Sequence, residues 1–377
     1  MWMACCVSPP VGRMDNNNGL LGIILTNPIK GGRKMKKRVF LLAMALSLVF
    51  VFAAGTFSDA QTVKPIELKL SHFMSPMHNL HADVFAPFSK TVEEKTKGRV
   101  KITVYPGEAL GKARDHYDMA VNGVTDIAFF IHGYTTGRFP LTSVIELPFL
   151  IPSAKVGSRV IWELYEKKYL TEYPGVKVLS LWVHSPGHVH MAKKPAKTLE
   201  DLKGVRLRSP GPLQTSLLRE FGVSTLTIPI TELYQALQSG MADGAVIPFS
   251  AMYDFKLSDI VKHHTIGNLY VMSMSLVMNQ KAWEGLSPDI QKIIEENRGS
   301  HMSEMAGASY DTYDLKGIEA GKKAGAAFYT LSAEEKKRWV DRSKSVTEKW
   351  IADTEAKKLS GKKIYEETQQ LLIKYSK

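Results

Sequence analysis

Apolar and polar positions along the chain follow two periods, one typical of strands and one typical of helices. Short apolar or alternating runs predict strands at residues 66–70, 100–105, 126–130, 176–183, 187–191 and 205–208. Amphipathic stretches predict helices at residues 78–96, 112–122, 212–221 and 231–239. Strands and helices that alternate at this spacing predict an α/β architecture with largely parallel sheets.

One stretch of this pattern occurs twice. Residues 117–128 (YDMAVNGVTDIA) are similar to residues 234–245 (YQALQSGMADGA), and in each a helix is predicted to end at a glycine. Glycine adopts the left-handed conformation that ends a helix without steric cost. An apolar residue then leads to an aspartate at the start of a strand. Two similar α/β lobes would produce such a repeat, and a cleft between lobes is a natural place for a ligand.

The pattern changes after residue 286, where helical periodicity replaces the strands. Residues 288–326, 333–353 and 361–375 each predict helix. The first of these stretches is rich in glycine and alanine, and small residues on a helix indicate close packing against other elements. We expect these helices to brace both lobes.

The residues around position 40 have the three parts of a secretory signal. A basic head at 36–38 precedes an apolar run at 39–54, and small residues stand at the first and third positions of 58–60. The apolar run is shorter than the about 20 residues that a membrane span needs. We therefore expect a signal peptide at 35–60, a mature start near Gln61 and a periplasmic protein. An uncleaved signal anchor is the alternative.

Residues 1–34 are unlike a signal peptide, because they lack periodicity and contain clusters of Asn and Gly. The basic residues of a signal stand at its true start. Met35 is therefore the expected initiator, and residues 1–34 are a mis-called extension. Both cysteines of the chain, Cys5 and Cys6, lie in this extension. We expect a mature chain without a disulfide, a thiol nucleophile or a zinc–thiolate site.

Charge and motifs exclude several classes of protein. Residues 1–60 hold seven of the 49 Lys and Arg residues and two of the 37 acids, so the mature chain has a net charge near +7. Its lysines are dispersed, with no basic patch interleaved with aromatic residues, and we expect no nucleic-acid partner. The nucleophile-elbow, P-loop and His-Glu-x-x-His motifs are missing from the sequence. We expect that the protein is not an enzyme and that it binds neither a cofactor nor a metal. A periplasmic hydrolase that uses Ser185 or Ser209 with His188 is the alternative.

Five blocks of the sequence, in consistent order, resemble one family. The blocks are residues 68–98, RVKITVYPGEALG at 99–111, RFPLTSVIELPF at 138–149, LEDLKGVRLRSP at 199–210 and ELYQALQSGMADG at 232–244. This ordered set is similar to the solute receptors of tripartite ATP-independent periplasmic (TRAP) transporters, in their dicarboxylate-binding branch.

The resemblance implies a two-lobed periplasmic-binding-protein fold that closes on a small organic carboxylate. Such a receptor delivers its ligand to a membrane permease for ion-coupled uptake, and we expect it to be a monomer. A receptor for a sensor kinase or for another type of transporter is the alternative. We expect strands near Val183 and Met272 to cross the hinge. The expected division is lobe I at 61–184 with about 273–300, lobe II at 185–272, and a helical segment at 301–377 that packs across both lobes.

Arg208 is the strongest candidate ligand-binding residue. It ends a predicted strand, and Pro212 is well placed to open the helix that follows. A guanidinium beside a helix N-terminus combines a planar fork of donors with partly positive backbone amides. The resemblance implies that this arginine forms a bidentate salt bridge to the ligand carboxylate. Arg206 is the rival, because residues two apart share a strand face, but it lies further from the strand end. A surface ion pair, for example with Asp201, is the alternative.

Further candidates follow in the same lobe. His188 and His190 share one face of a predicted strand, and either ring could donate a hydrogen bond to a carboxylate. Ile247 and Phe249 follow the repeated aspartate and would supply apolar surface, on which a flat or aromatic ligand could stack. Some members of the family that the chain resembles carry an asparagine at the position of Ile247, and the resemblance therefore implies a ligand less polar than a sugar acid. For the two histidines the alternative is a role in packing or at the surface, and for Ile247 and Phe249 it is core packing.

The N-terminal lobe offers contacts from its loops. His72 lies in the loop 71–78 after the first predicted strand, and Glu108 and Tyr134 follow later strands. Ligands of open α/β sheets bind beyond the carboxyl ends of the strands. We therefore expect these three side chains at the mouth of the cleft.

Overall fold

The structure, a computed structural model, describes residues 64–376. The expected extension at 1–34 and the expected signal peptide at 35–60 lie outside the described residues. The strands are β1 Ile66–Ser71, β2 Val100–Tyr105, β3 Ile127–Ile131, β4 Val176–Val183, β5 His188–Met191, β6 Arg206–Ser209, β7 Ser224–Thr227, β8 Gly244–Ile247, β9 His263–Ile266, β10 Ser273–Asn279 and β11 Ala327–Thr330. The helices are α1 Ala86–Lys95, α2 His116–Val121, α3 Ala154–Glu166, α4 Leu199–Leu202, α5 Pro212–Glu220, α6 Leu233–Gln238, α7 Phe249–Asp254, α8 Gln280–Glu284, α9 Pro288–Glu296, α10 Ser300–Lys323, α11 Ala333–Ala356 and α12 Gly361–Tyr375.

The strands form two sheets, which define two lobes. The sheet of lobe I has the order β2-β1-β3-β10-β4, and the sheet of lobe II has the order β11-β9-β5-β8-β6-β7. Each sheet contains one strand that runs against its neighbours, β10 in lobe I and β5 in lobe II. The remaining pairings are parallel. The predicted α/β fold with two lobes and largely parallel sheets is confirmed.

The sequence repeat forms the same local structure in both lobes. The helix of each copy ends at a glycine with a φ angle of 72°, Gly123 or Gly240. The aspartate that follows accepts a hydrogen bond from a backbone N–H of the neighbouring strand. Asp126 accepts from β1 at 2.8 Å, and Asp243 accepts from β6 at 3.0 Å. The repeat therefore sets the pairing of β3 with β1 in lobe I and of β8 with β6 in lobe II.

The apolar core covers both faces of each sheet. All five residues of β3 are buried, which explains why its sequence IAFFI is a continuous apolar run. The rings of Phe129 on β3 and Trp182 on β4 stack across the intervening strand β10 with their centroids 5.8 Å apart, and Phe85 packs on both. In lobe II, Leu207 and Val246 are fully buried in the same manner.

Two segments of the chain cross between the lobes side by side. The first joins β4 to β5 through His184, and the second joins β9 to β10 through Met272. The backbone N–H of His184 donates to the carbonyl of Met272 at 3.4 Å, and the N–H of Met272 donates back to Nε2 of His184 at 3.1 Å. Gly187 and Tyr270 continue this pairing at 2.7 Å. The predicted lobe boundaries, which fall on these segments, stay a prediction.

The C-terminal segment 301–377 differs from the prediction in one respect. It was expected to be helical, but β11 pairs in parallel with β9 at the edge of the lobe II sheet. The aromatic pair in its sequence AFYT packs on that sheet, and this contact was not visible in the local pattern. The long helix predicted at 288–326 is also divided, since Gly299 separates α9 from α10 with a φ angle of 77°.

Helix α10 connects the two lobes through a pair of aspartates. Asp311 accepts hydrogen bonds from the backbone N–H groups of Ala154 and Lys155, at 2.9 and 3.0 Å, at the start of α3 in lobe I. Asp314 accepts from the N–H of Ser250, at 2.7 Å, at the start of α7 in lobe II. Carboxylates are favourable beside the free N–H groups at helix N-termini. One helix therefore holds the first turns of two helices from different lobes.

Helix α11 also spans the lobes, through two tryptophans. The ring of Trp339 packs on Phe221 of lobe II, with centroids 5.1 Å apart. Eleven residues later, Nε1 of Trp350 donates to Oγ of Ser143 in lobe I at 2.8 Å. The expected bracing by C-terminal helices is confirmed. Across residues 64–376, no helix is both long and apolar enough to cross a membrane.

Candidate ligand-binding site

A cavity lies between the lobes, beside the crossing segments. Its volume, including space open to solvent, is about 470 Å³. Eight of its nineteen lining residues are aromatic or methionine: Phe73, Met74, Tyr134, Phe255, Tyr270, Met272, Met274 and Tyr310. Few polar side chains interrupt this surface, and the most strongly charged of them is Arg208.

Arg208 lies at the carboxyl end of β6 and is only 2% exposed. Its Nε donates to the carbonyl of Ile228 at 2.9 Å, and its Nη2 donates to the hydroxyl of Tyr134 at 3.3 Å. In the part of the chain that the structure describes, Nη1 makes no hydrogen bond. The guanidinium is therefore held in place by protein acceptors while one of its corners stays available at the cavity wall.

Arg206 occupies a different environment from Arg208. It begins β6, its side chain is 52% exposed, and its guanidinium binds both carboxylate oxygens of Asp243. The Nη2–Oδ1 distance is 2.7 Å and the Nε–Oδ2 distance is 3.2 Å. This pairing leaves Arg206 outside the cavity.

Tyr134 links the two lobes at the cavity. It lies in the 3₁₀ turn that follows β3 in lobe I. Its hydroxyl oxygen accepts from the backbone N–H of Ile230 in lobe II at 2.9 Å, in addition to Nη2 of Arg208. Both contacts cross the cleft, so the structure represents a closed arrangement of the lobes. Because the oxygen is the acceptor in both, the hydroxyl hydrogen is free to be donated.

Close contacts elsewhere agree with closed lobes. A Cβ atom added at Gly211 of lobe II would lie 3.4 Å from the Cα of Gly133 in lobe I. Nε2 of Gln214 in lobe II donates to Oε2 of Glu146 in lobe I at 3.3 Å. Burial raises the pKa of Glu146 to about 6, although hydrogen bonds from Ser273 and Gln214 act in the opposite direction.

A second polar pair lines the same cavity, formed by His78 and Asp254. Their side chains are 5% and 1% exposed, and Nε2 of His78 lies 3.6 Å from Oδ2 of Asp254. Burial lowers the pKa of His78 to about 3 and raises the pKa of Asp254 to about 7, so the two groups do not form an ordinary ion pair. Within the described residues, neither carboxylate oxygen of Asp254 has a hydrogen-bond partner.

The structure brings three of the predicted site residues together. Arg208, Tyr134 and Ile247 all line the cavity. They come from β6, from the turn after β3 and from the end of β8, and these are carboxyl ends of strands in both lobes. The rule that ligand sites lie beyond such ends predicted this meeting point.

His188, His190 and Phe249 do not line the cavity, which corrects their predicted role. Nε2 of His190 donates to the carbonyl of Ile247 at 3.0 Å, and its Nδ1 lies 2.8 Å from Nδ1 of His264. The ring of Phe249, which begins α7 instead of extending the strand, packs 4.8 Å from His188. Helix α7 thus covers the strand face that carries both histidines. Burial also lowers the pKa of His188 to about 3, so its ring is neutral.

His72 and Glu108 are likewise displaced from the cavity. Nε2 of His72 lies 2.9 Å from Nδ1 of His81, in a partly buried pair. The carboxylate of Glu108 accepts from the backbone N–H of Ala113 at 2.9 Å and from Nζ of Lys112. Both side chains are engaged by local partners. The loop 71–78 does reach the cavity, but through Phe73, Met74 and His78.

Sequence reasoning missed Asp254, His184 and Tyr310, which also line the cavity. His184 stands in a predicted crossing segment, and that position was a signal that could have identified it. Asp254 and Tyr310 lie on helices, where nothing in the local pattern separates a cavity-facing residue from a core residue.

Comparison with known proteins identifies the family. Residues 70–353 match the family model DctP, described as bacterial extracellular solute-binding protein, family 7. The chain belongs to this family. The resemblance predicted from the sequence is confirmed, and family members are solute-binding proteins of TRAP transporters, which work with membrane permease subunits.

Several solved structures and relatives are similar over most of the chain. A TRAP solute-binding protein from Rhodoferax ferrireducens, with copurified benzoate, is 31% identical, with a TM-score of 0.80 over 82% of this chain and 98% of that chain. A marine metagenome TRAP solute-binding protein specific for aromatic acids, in complex with 3-hydroxybenzoate, is 30% identical, with a TM-score of 0.80 over 83% and 99%. The C4-dicarboxylate-binding periplasmic protein of Rhodobacter capsulatus is 26% identical over 73% of this chain and 84% of its own length.

Proposed function

We propose that this DctP-family protein is a periplasmic receptor for an aromatic monocarboxylate, which it binds by closing its lobes and delivers to a TRAP permease for ion-coupled uptake. The observation that carries the proposal is the buried guanidinium of Arg208, which faces a largely apolar cavity with its Nη1 corner available. An anionic head and a flat apolar body are the ligand features that complement such a site.

Arg208 binds the ligand carboxylate in this proposal. Charge-assisted hydrogen bonds from a guanidinium to a carboxylate are short and directional, and they are stronger than bonds between neutral groups. The carbonyl of Ile228 and the hydroxyl of Tyr134 already hold the guanidinium, so little conformational entropy is lost when the ligand binds. The Tyr134 hydroxyl can donate its hydrogen to the same carboxylate.

The body of the ligand lies against the aromatic wall. The rings of Phe73 and Tyr134 are 5.8 Å apart in a tilted arrangement, and Tyr270 and Tyr310 contribute further ring surface. Aromatic rings favour edge-to-face or offset contacts with one another. Benzoate and 3-hydroxybenzoate in two similar receptors support an aromatic acid.

Binding and closure are coupled through the residues that touch the ligand. Tyr134 belongs to lobe I and Arg208 to lobe II, so a carboxylate held by both joins the lobes. The closed form then presents the surface that the permease subunits recognise. The ligand leaves chemically unchanged, and the chain has no enzymatic activity in this proposal.

A panel of acids tests the ligand class. Thermal-shift measurements should give the largest increase in Tm with benzoates, phenylacetates or mandelates, and smaller increases with C4 dicarboxylates and sugar acids. A ligand at 100 times its Kd stabilises the folded state by about 2.7 kcal/mol, which is readily measured. Stabilisation only by sugar acids, or only by sugars or amines, would overturn the proposal. NMR spectra of the ligand after prolonged incubation should be unchanged.

The proposed location has its own test. Residues 35–60 direct export in this proposal and are then removed. Mass spectrometry of the protein recovered from the periplasm should give an N-terminus at Gln61. Recovery of the chain only in the membrane fraction, with residues 35–60 attached, would instead indicate a signal anchor.

A further inference from the structure

A buried carboxylate without a partner is the least explained feature of the cavity. The side chain of Asp254 is 1% exposed, and neither of its oxygens accepts a hydrogen bond from the described residues. Leaving a buried polar group unsatisfied is costly, and such groups are rare in native proteins. Asp254 lines the cavity, so a ligand can supply the missing donor.

The neighbouring histidine has a defined hydrogen-bonding role. The backbone N–H of Leu80 donates to Nδ1 of His78 at 3.2 Å, so Nδ1 is the acceptor of the ring. A neutral imidazole then carries its hydrogen on Nε2 and donates from that atom. The rings of Phe255 and Tyr310, with centroids at 5.8 and 6.3 Å, hold the imidazole with Nε2 towards Asp254.

The donor and the acceptor do not satisfy each other. Nε2 of His78 and Oδ2 of Asp254 are 3.6 Å apart, whereas N–H···O hydrogen bonds measure about 2.7–3.2 Å. A group that accepts from Nε2 and donates to the carboxylate would satisfy both. A hydroxyl does this with a single oxygen, because it has one hydrogen to donate and lone pairs to accept.

We infer that His78 and Asp254 form a hydroxyl-recognition subsite, which makes the ligand a hydroxylated aromatic acid with a single carboxylate. The inference rests on the proposed function, since it takes the carboxylate of the ligand to bind at Arg208. The hydroxyl oxygen accepts from Nε2–H of His78, and its hydrogen is donated to Asp254. A second carboxylate has no hydrogen to donate, and above about pH 7, where Asp254 is mainly ionised, it would be repelled.

Two observations support this division of the cavity. The hydrogen bonds of Arg208 go to Ile228 and Tyr134, whereas Asp254 faces His78, so the two polar groups have separate surroundings. The high pKa of Asp254 arises mainly from burial, which the nearby backbone N–H of Asn79 and the charge of Lys316 offset only in part, and a bound hydroxyl would provide a further donor. The similar marine metagenome receptor was crystallised with 3-hydroxybenzoate and with metahydroxyphenylacetate, which carry both groups.

Calorimetry with matched acids tests the subsite. The purified protein is titrated with benzoate and phenylacetate, with their 3- and 4-hydroxy derivatives, with 3-methoxybenzoate and with isophthalate. At least one hydroxylated acid should bind roughly ten- to a hundredfold more tightly than its parent, the gain typical of hydrogen bonds to a charged group. The methoxy compound, which cannot donate, and isophthalate should show no such gain.

The variant Asp254→Leu assigns the gain to the subsite. It removes the acceptor at similar volume, so the ratio between the affinities of the hydroxylated acid and of its parent should fall to within about threefold. The control variant Asp259→Leu changes an exposed aspartate nearby, and it should still bind the hydroxylated acid more tightly than the parent acid by the full factor. If Asp254→Leu fails to fold, the ligand series on the unchanged protein decides.

The outcomes separate the two proposals. If parent and hydroxylated acids bind equally well, or if Asp254→Leu still prefers the hydroxylated acid to the same extent, the inference of a hydroxyl-recognition subsite is wrong. The proposed function as an aromatic-acid receptor is not affected by that result. Tighter binding of isophthalate than of benzoate would also overturn the subsite. If no aromatic acid binds, the proposed function fails, and the subsite fails with it.

Discussion

The hydroxyl of Tyr134 lies 3.3 Å from Nη2 of Arg208, although the two residues belong to different lobes. The same hydroxyl oxygen accepts from the backbone N–H of Ile230, again across the cleft. The lobes therefore meet on the guanidinium that we propose as the anchor of the ligand. Closure of the lobes and recognition of the carboxylate share the same atoms.

The first prediction concerns the variant Arg208→Lys. Lysine keeps the positive charge but loses the planar fork, so at least one directed hydrogen bond is lost. A hydrogen bond to a charged group contributes about 1.5–3 kcal/mol, so we expect calorimetry to show roughly a ten- to hundredfold weaker affinity with the fold intact. The control is Arg206→Lys, whose exposed side chain pairs with Asp243 and should change little. If both variants lose the same affinity, or if Arg206→Lys loses more, Arg208 is not the residue that binds the carboxylate.

The second prediction concerns Tyr134→Phe. This variant removes an acceptor from the backbone N–H of Ile230 and from Arg208, and it removes the hydroxyl that can donate to the ligand. We expect affinity to fall by roughly tenfold, because a buried donor is left unsatisfied in the closed form. The control is Tyr234→Phe, at an exposed position in α6. Calorimetry that finds the same affinity for both variants would contradict the coupling.

The third prediction concerns the contact between glycines. A Cβ at Gly211 would lie 3.0 Å from Oε1 of Gln214, 3.3 Å from Cε of Met272 and 3.4 Å from the Cα of Gly133. The distance to Gly133 is an ordinary van der Waals contact, but the two shorter distances are tighter than usual, so the side chains of Gln214 and Met272 must shift when the lobes close. We therefore expect Gly211→Ala to hinder closure and to weaken the ligand-induced decrease in the radius of gyration, measured by small-angle X-ray scattering. Gly285→Ala is the control, and unchanged compaction in Gly211→Ala would show that the contact tolerates a methyl group.

The fourth prediction is a loss of stability in mild acid. Burial lowers the pKa of nine histidines of the described chain below 6.5: His72, His78, His81, His116, His132, His184, His188, His190 and His264. At pH values between about 6.5 and 3 the unfolded state binds protons that the folded state does not. The free energy of unfolding therefore falls as the pH falls through this window.

Buried carboxyl groups act in the opposite direction. Burial raises the pKa of four of them in the described chain: Glu146, Glu172, Asp254 and Asp314. The folded state binds protons more readily at these sites, so acidification from about pH 7 to 4 favours it there. Because the histidines are more numerous, we expect a net decrease in stability. Urea denaturation at pH 7.5, 6.5 and 5.5 checks this, and a constant or rising free energy of unfolding towards pH 5.5 would contradict it.

Local sequence patterns predicted some site residues and not others, for a physical reason. Arg208 stands at a strand end before a helix-opening proline, and that local arrangement aims it at the cleft. His188 and His190 share a strand face as predicted, but α7 covers that face, and this contact is not visible in the local pattern. Asp254 pairs with His78 from a distant part of the chain, so only the three-dimensional structure reveals the pair.

The fold was more predictable than the site. The paired stretches 117–128 and 234–245 indicated two similar lobes, because helix ends and strand starts depend on neighbouring residues. The edge strand β11 was missed, since a four-residue strand is stabilised by pairing with β9 and not by its own sequence.

The two aspartates of α10 have a consequence for any motion of the lobes. Asp311 and Asp314 lie less than one helical turn apart, about 4.5 Å along the axis, yet they hold helices of different lobes. If the lobes rotate while the hydrogen bonds of both aspartates are kept, the rotation axis must pass close to these residues. Displacements of the lobes are then small beside α10 and grow with distance from it. The two aspartates therefore mark the rotation axis of the lobes, and a rotation by a small angle about that axis separates the distant rims of the lobes by a large distance.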